Sequence, residues 1–124
     1  MDSTTMLVTA TYLLAAAGVG GLIMATMRFS GVPRPPLVFA MGHGLLASAG
    51  LTLVVYATLV AGATPMVQVA AVLLMGAALG GAALNLLYHS KGLALPIPFV
   101  IGHGLVAATA LVLLWMGAGR PLPF

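Results

Sequence analysis

The chain has 124 residues, of which 62% are hydrophobic and only 4% are charged. A soluble domain carries about a quarter charged residues, so this composition indicates a protein whose surface faces lipid. The formal net charge of +3 comes from single basic residues spread along the chain, which excludes the clustered basic surface that nucleic-acid binding requires.

Four apolar segments are long enough to cross a bilayer, which takes about 20 residues of helix. They run over residues 5–27, 37–62, 66–88 and 97–117. Prolines stand at the segment boundaries, where the first turn of a helix tolerates them: Pro33, Pro35, Pro36, Pro65, Pro96 and Pro98. We therefore predict an all-α integral membrane four-helix bundle, since a soluble bundle would need polar outer faces.

The basic residues predict an orientation in the membrane. Arg28, Arg34 and Lys91 lie in the first and third connections, whereas the second connection, 63–65, carries no charge. By the positive-inside rule, both charged loops are cytoplasmic and both termini are outside. Arg120 favours the opposite orientation.

We expect the protein in the inner (plasma) membrane of a bacterium. Its expected partners are lipid and either a larger membrane complex or further copies of itself.

The sequence repeats after 60 residues without a gap. Gly42-His43-Gly44-Leu45 aligns with Gly102-His103-Gly104-Leu105, and scarcer residues such as Ser30 and Ser90 also match. We therefore predict two transmembrane hairpins, residues 1–62 and 63–124, related by a pseudo-twofold axis along the membrane normal, as in parallel-repeat proteins. This symmetry would place His43 and His103 at one depth, on opposite sides of the axis.

The two repeated histidines are candidate metal ligands. With a rise of about 1.5 Å per residue, His43 lies roughly 9 Å inside its helix, and an ionisable residue at that depth indicates function. Two imidazoles from different helices are suitable axial ligands for haem iron. We therefore predict that His43 and His103 bind haem b. The other predicted cofactor contacts are small residues beside the haem (Gly42, Gly44, Gly102, Gly104, Gly20, Gly21, Gly80, Gly81), aromatic rings that pack on it (Phe39, Phe99) and cations near its propionates (Arg28, Arg34).

On these two histidines, the chain resembles the four-helix membrane cytochromes of b type, in which helices contribute paired histidines to haem. The resemblance implies a role in electron transfer as a subunit that serves larger partners. Many such cytochromes use four histidines for two haems, whereas this pair would hold one. The resemblance covers only His43 and His103.

Other functions remain open or are excluded by the residues present. The only acidic residue is Asp2, outside the spans, and cysteine is absent. This disfavours proton-coupled transport and excludes carboxylate-dependent and thiolate catalysis, so we do not expect an enzyme acting alone.

Two alternatives to a haem protein are a noncatalytic accessory subunit and a protein that binds another chromophore or a metal such as copper. A structural alternative is that each histidine hydrogen-bonds across helices to Thr26, Asn85 or Thr109, with the small residues serving helix packing.

Overall fold

The protein is all-helical over residues 1–119, the part of the chain that the computed structural model describes. Its long helices are α1 (Ser3–Phe29), α2 (Leu37–Val60), α3 (Pro65–Ala83) and α4 (Ile97–Gly117). The third helix continues through a π-helical turn, Leu84–Tyr88, and a 3₁₀ turn, His89–Lys91. All four apolar segments are long enough to cross a membrane, which confirms the prediction of four long apolar helices and indicates a membrane protein. Arg120, used above for orientation, lies outside the described residues.

Local sequence determines where the helices begin and end. The backbone N–H of Thr5 donates to Oδ1 of Asp2 at 2.7 Å, which caps α1 and lowers the pKa of the Asp2 carboxyl. Thr64 caps α3 in the same way, followed by a proline in the first turn. Between α2 and α3, Gly62 adopts a φ of 70°, a left-handed conformation that glycine reaches without steric cost. The chain can therefore reverse in a few residues.

The helices pack as two hairpins set side by side. α1 packs mainly on α2, and α3 mainly on α4, while the hairpins meet along α1–α4 and α2–α3. α2 and α4 therefore stand diagonally across the bundle, as do α1 and α3. The repeated histidines are on α2 and α4, so they lie on helices that face each other diagonally across the bundle.

The tightly packed core occupies one end of the bundle, beside the α2–α3 turn. Its most completely buried large side chains are Val54, Val67 and Leu114. Toward the other end, α2 has no buried residue over 37–49, and α4 has none over 97–109. These two stretches correspond under the 60-residue repeat, and they contain the histidines. The half of the bundle that holds the candidate site is therefore the loosely packed half.

Close approach of α1 and α2 depends on a glycine. A Cβ on Gly50 would lie 2.6 Å from Cγ of Leu14 and 3.2 Å from the carbonyl oxygen of Ala10. The leucine can move, but the backbone oxygen can move only with its helix. Gly50 therefore determines how closely the first hairpin packs.

We expect Gly50→Ala to destabilise the protein by about 1–3 kcal/mol, as overpacking of a close contact typically does. The measurement is the thermal unfolding midpoint in detergent. Gly76→Ala is the matched control, because a Cβ there has no atom of residues 1–119 within 4 Å and alanine favours a helix more than glycine does. Equal midpoints for the two variants would contradict this account of the α1–α2 contact.

Candidate cofactor-binding site

The structure brings His43 of α2 and His103 of α4 together across the bundle. Their ring centres are 6.0 Å apart, and the ring planes make an angle of 74°. Both residues are half-buried. The two imidazoles thus form a pair drawn from diagonal helices, one from each hairpin.

The His43 ring is oriented by a backbone carbonyl. Its Nδ1 lies 2.7 Å from the carbonyl oxygen of Ala17 on α1. A carbonyl can only accept a hydrogen bond, so Nδ1 carries the proton and donates it. Nε2 then keeps its lone pair. Metal-binding histidines show this arrangement, in which the nitrogen that does not bind the metal donates to a carbonyl and thereby fixes the tautomer and the ring orientation.

The corresponding contact of His103 is weaker. The residue 60 positions after Ala17 is Ala77, and its backbone lies close enough to act on the His103 ring. The buried Nδ1 of His103 nevertheless makes no hydrogen bond of regular geometry among residues 1–119. The two histidines share the same Gly-His-Gly-Leu context but differ in how firmly their rings are held.

Two glycine pairs receive the imidazole rings. A Cβ on Gly21 would lie 3.1 Å from Cε1 of His43, and a Cβ on Gly81 would lie 3.1 Å from Cε1 of His103. Gly20 and Gly80 lie one position earlier, with nearest histidine atoms at 3.8 Å and 3.7 Å from their Cβ positions. The predicted proximity of these glycines to the histidines is thus observed, with each ring packed against the neighbouring helix of its own hairpin.

The remaining predicted cofactor contacts lie on the same helices as the histidines. Beyond its two chain neighbours and the backbone of its own helix, a Cβ on Gly42, Gly44, Gly102 or Gly104 would have no atom within 4 Å in the described part of the chain. Residues adjacent to a histidine point about 100° away from it around the axis. Phe39 is 37% exposed and Phe99 is 58% exposed, and the Phe99 ring lies 6.5 Å from that of Tyr88. The cofactor roles of these six residues stay predictions.

The hydroxyl and amide groups suggested as histidine partners are engaged elsewhere or lie apart. Thr26 donates to the Leu22 carbonyl of its own helix, and Thr109 donates to that of Leu105. Asn85 lines a groove at the charged end of the bundle. The histidine pair makes its observed hydrogen bond to backbone instead.

The charged loops are connected by a reciprocal pair of hydrogen bonds. Nε of Arg28, at the end of α1, donates to the carbonyl oxygen of Leu95 at 2.7 Å. Nε2 of His89, at the end of the third helix, lies 2.8 Å from the carbonyl oxygen of Pro35 and donates to it. Leu95 and Pro35 are equivalent in the 60-residue repeat. Arg28 therefore joins the two loops, and its predicted propionate role remains untested, while Arg34 lies exposed beside the groove.

The sequence analysis assigns no role to His89, whose hydrogen bond to Pro35 connects the two loops. A usable signal was its departure from the repeat. His89 stands where the first half has Phe29, and Asn85 stands where it has Ala25. Polar residues that replace apolar ones between otherwise similar halves are candidates for a role that only one half performs.

The histidine pair offers two protein ligands to a metal. No group of three or more His, Cys, Asp or Glu side chains converges within residues 1–119. Structural zinc sites take four protein ligands, and catalytic ones take three. The pair therefore suits a metal whose remaining ligands come with it, as they do in haem.

No protein-family model, curated protein or solved structure matches this chain.

The inequality of the two histidines yields a stability prediction for protein prepared without ligand. We expect His43→Leu to lower the free energy of unfolding by about 1 kcal/mol, because an interhelical hydrogen bond is lost. His103→Leu should cost less, because Nδ1 of His103 makes no hydrogen bond of regular geometry among residues 1–119. Reversible unfolding in mixed micelles measures both. A larger loss for His103→Leu would contradict the hydrogen bonding described here.

Proposed function

We propose that this chain is an integral membrane protein that binds one haem b through His43 and His103 and transfers electrons as a cytochrome-type subunit. Its two hairpins, residues 1–62 and 63–124, would be related by a pseudo-twofold axis along the membrane normal. The charged loops would face the cytoplasm of a bacterial cell, and both termini would lie outside. The proposal implies larger membrane partners that supply and accept the electrons.

The observation that carries the proposal is the spacing of the imidazoles. Two metal–nitrogen bonds of about 2 Å each, added to the distance from each nitrogen to its ring centre, put the ring centres about 6 Å apart. The observed separation is 6.0 Å, with the ring planes at 74°. This spacing is compatible with two ligands of one metal ion, and it is also that of a direct edge-to-face contact between two rings.

The chemistry of the donor set fits haem iron. Haem would bring four nitrogen ligands of its own, His43 and His103 would supply the remaining two, and the iron would provide one-electron redox chemistry. The hydrogen bond from His43 to Ala17 would leave Nε2 of the neutral His43 ring as the ligand atom and raise its basicity. Nδ1 of His103 makes no hydrogen bond of regular geometry among residues 1–119, so its Nε2 could also take the ligand form.

The packing around the pair is also compatible with a bound group. Gly21 and Gly81 let the imidazoles lie against the neighbouring helices. The absence of buried residues over 37–49 and 97–109 means that these stretches can adjust to a ligand without disrupting the tight core. The roles predicted above for Gly42, Gly44, Gly102 and Gly104 stay predictions.

The test is an absorption spectrum of protein purified in mild detergent after expression with haem supplied. We expect a Soret band, with sharp α and β bands on reduction, and their loss in His43→Ala and in His103→Ala. His89→Ala is the matched control, since it removes an imidazole that donates to Pro35 at the charged end, and it should keep the spectrum. A colourless, correctly folded wild-type protein would overturn the proposal.

Metal analysis of the same samples separates the alternatives. Iron in about equal amount to protein, lost in both histidine variants, supports haem, whereas copper would assign the pair to a different metal. An accessory subunit without a cofactor would contain neither metal and would still co-purify with a larger complex in both variants.

A further inference from the structure

A groove lies at the charged end of the bundle, between the α1–α2 connection and the end of the third helix. Its volume is about 640 Å³. Its polar lining residues are Arg34 from the connection and Asn85, His89 and Ser90 from the third helix. Leu37, the first residue of α2, borders the groove and is 58% exposed. The groove therefore combines polar and cationic side chains with an exposed apolar side chain at the start of α2.

The charge around this groove is uncompensated. Arg28, Arg34 and Lys91 all belong to this end of the bundle, and the only acidic residue of the chain, Asp2, caps the opposite end of α1. Clustered charges of one sign at a low-dielectric surface attract counter-ions of the opposite sign. The ligand that complements this end is therefore an anion.

The groove is built from two loops that hydrogen bonds connect. His89 donates to the carbonyl of Pro35, a buried residue. The backbone N–H of Leu95 donates to the carbonyl of Pro33 at 3.1 Å, and Arg28 donates to the carbonyl of Leu95. Proline fixes its own φ angle, so this frame is more rigid than a typical loop. A rigid frame reduces the ordering cost of binding a ligand.

The groove also offers suitable donors for phosphate oxygens. Arg34 is exposed and its Nη1 lies 3.8 Å from the Cβ position of Gly92 in the second loop. A guanidinium binds phosphate through two parallel hydrogen bonds. The exposed side-chain amide of Asn85 supplies a further N–H. The hydroxyl of Ser90 donates to the Leu86 carbonyl at 3.0 Å, so it is not counted among the donors.

A second feature distinguishes this place from its counterpart in the first hairpin. α1 is regular from Ser3 to Phe29, whereas the third helix changes to a π-helical turn over Leu84–Tyr88. Such turns interrupt the regular helix, and they occur frequently at functional sites. Asn85 lies within the turn, and His89 follows directly after it. The interruption therefore coincides with the two polar residues that depart from the repeat and line the groove.

We propose that this groove binds the phosphate headgroup of an anionic phospholipid, with Arg34 as the principal phosphate ligand and Asn85 as a second donor. In a membrane-spanning orientation the loops lie at the depth of the lipid headgroups, where basic pockets beside transmembrane helices bind acidic lipids. Leu37 contacts the start of the acyl chains. This proposal does not depend on haem binding.

The test uses haem-free protein in detergent, mixed with phosphatidylglycerol or with phosphatidylcholine, and native mass spectrometry measures the lipid retained. We expect wild-type protein to prefer phosphatidylglycerol and Arg34→Gln to weaken its binding by about fivefold or more, since one basic contact contributes roughly that factor. Asn85→Ala should weaken it less. Circular dichroism establishes that the variants remain helical.

Lys91→Gln is the charge-matched control, because Lys91 is exposed at the same end but does not line the groove. It should retain phosphatidylglycerol as the wild type does. Equal losses in Arg34→Gln and Lys91→Gln would indicate a diffuse surface charge and overturn the site. Equal retention of both lipids would also overturn it. Displacement of phosphatidylglycerol by millimolar inorganic phosphate would indicate a site for free phosphate rather than lipid.

A haem carboxylate is the rival anion for Arg34. If Arg34→Gln altered the absorption spectrum of haem-loaded protein but left phosphatidylglycerol binding unchanged, the lipid site would be refuted while haem binding stood. If wild-type protein bound no haem when haem was supplied, and Arg34→Gln lost phosphatidylglycerol binding, the lipid site would be supported and the function proposed above would be refuted. The two proposals therefore fail on different measurements.

Discussion

Polar side chains in the described part of this protein use the backbone as their hydrogen-bond partner, and the chain has a single acidic residue to complement its basic ones. Within residues 1–119, each side-chain donor in a hydrogen bond donates to a main-chain carbonyl, and no bond joins two side chains. Threonine and serine hydroxyls use the carbonyl one turn earlier in their own helix. The longer side chains reach other elements, and their three bonds determine the geometry of both candidate sites: His43 to Ala17, His89 to Pro35, and Arg28 to Leu95.

This constraint explains which part of the structure could be predicted from the sequence. Hydropathy and proline positions predicted four long helices, because both depend only on local sequence. The repeat predicted that His43 and His103 would lie at one depth on opposite sides of an axis and share a ligand, and the structure brings their ring centres within 6.0 Å. The interruption after Ala83 was not predictable in this way, because a π-helical turn leaves no distinct hydropathy signal. Nor was the inequality between the two histidines, since their neighbours in the sequence are the same.

The glycines beside the histidines show a different limit. Gly42 and Gly44 were interpreted as space for a ligand because they are adjacent to His43 in the sequence. Adjacency along a helix places residues on different faces, and the glycines that touch the rings come from another helix, at Gly21 and Gly81. The sequence analysis also named Gly21 and Gly81, and the structure shows that both lie against the rings. Which face of α1 carries Gly21 depends on how α1 and α2 are aligned, and the sequence alone does not give that alignment.

The division of the bundle into a packed end and an open end separates stability from function. Buried apolar contacts at the α2–α3 end hold the helices together, and opening of the other half disrupts few such contacts, so it should have a low free-energy cost. The loop hydrogen bonds then limit how far that open half can separate. A site placed between a tight core and a connected pair of loops can adjust to a ligand without unfolding the bundle.

Each hairpin contributes one histidine of the pair, so the pair forms only when the two hairpins associate. Membrane helices insert first and associate afterwards, so neither hairpin contains a complete pair until the two have docked. A ligand that bridges His43 and His103 is therefore also a link between the hairpins, and it shifts the docking equilibrium by an amount that depends on its concentration relative to its dissociation constant. Occupancy of the pair and assembly of the bundle are thermodynamically coupled, so supply of the ligand would control how much docked protein the membrane contains.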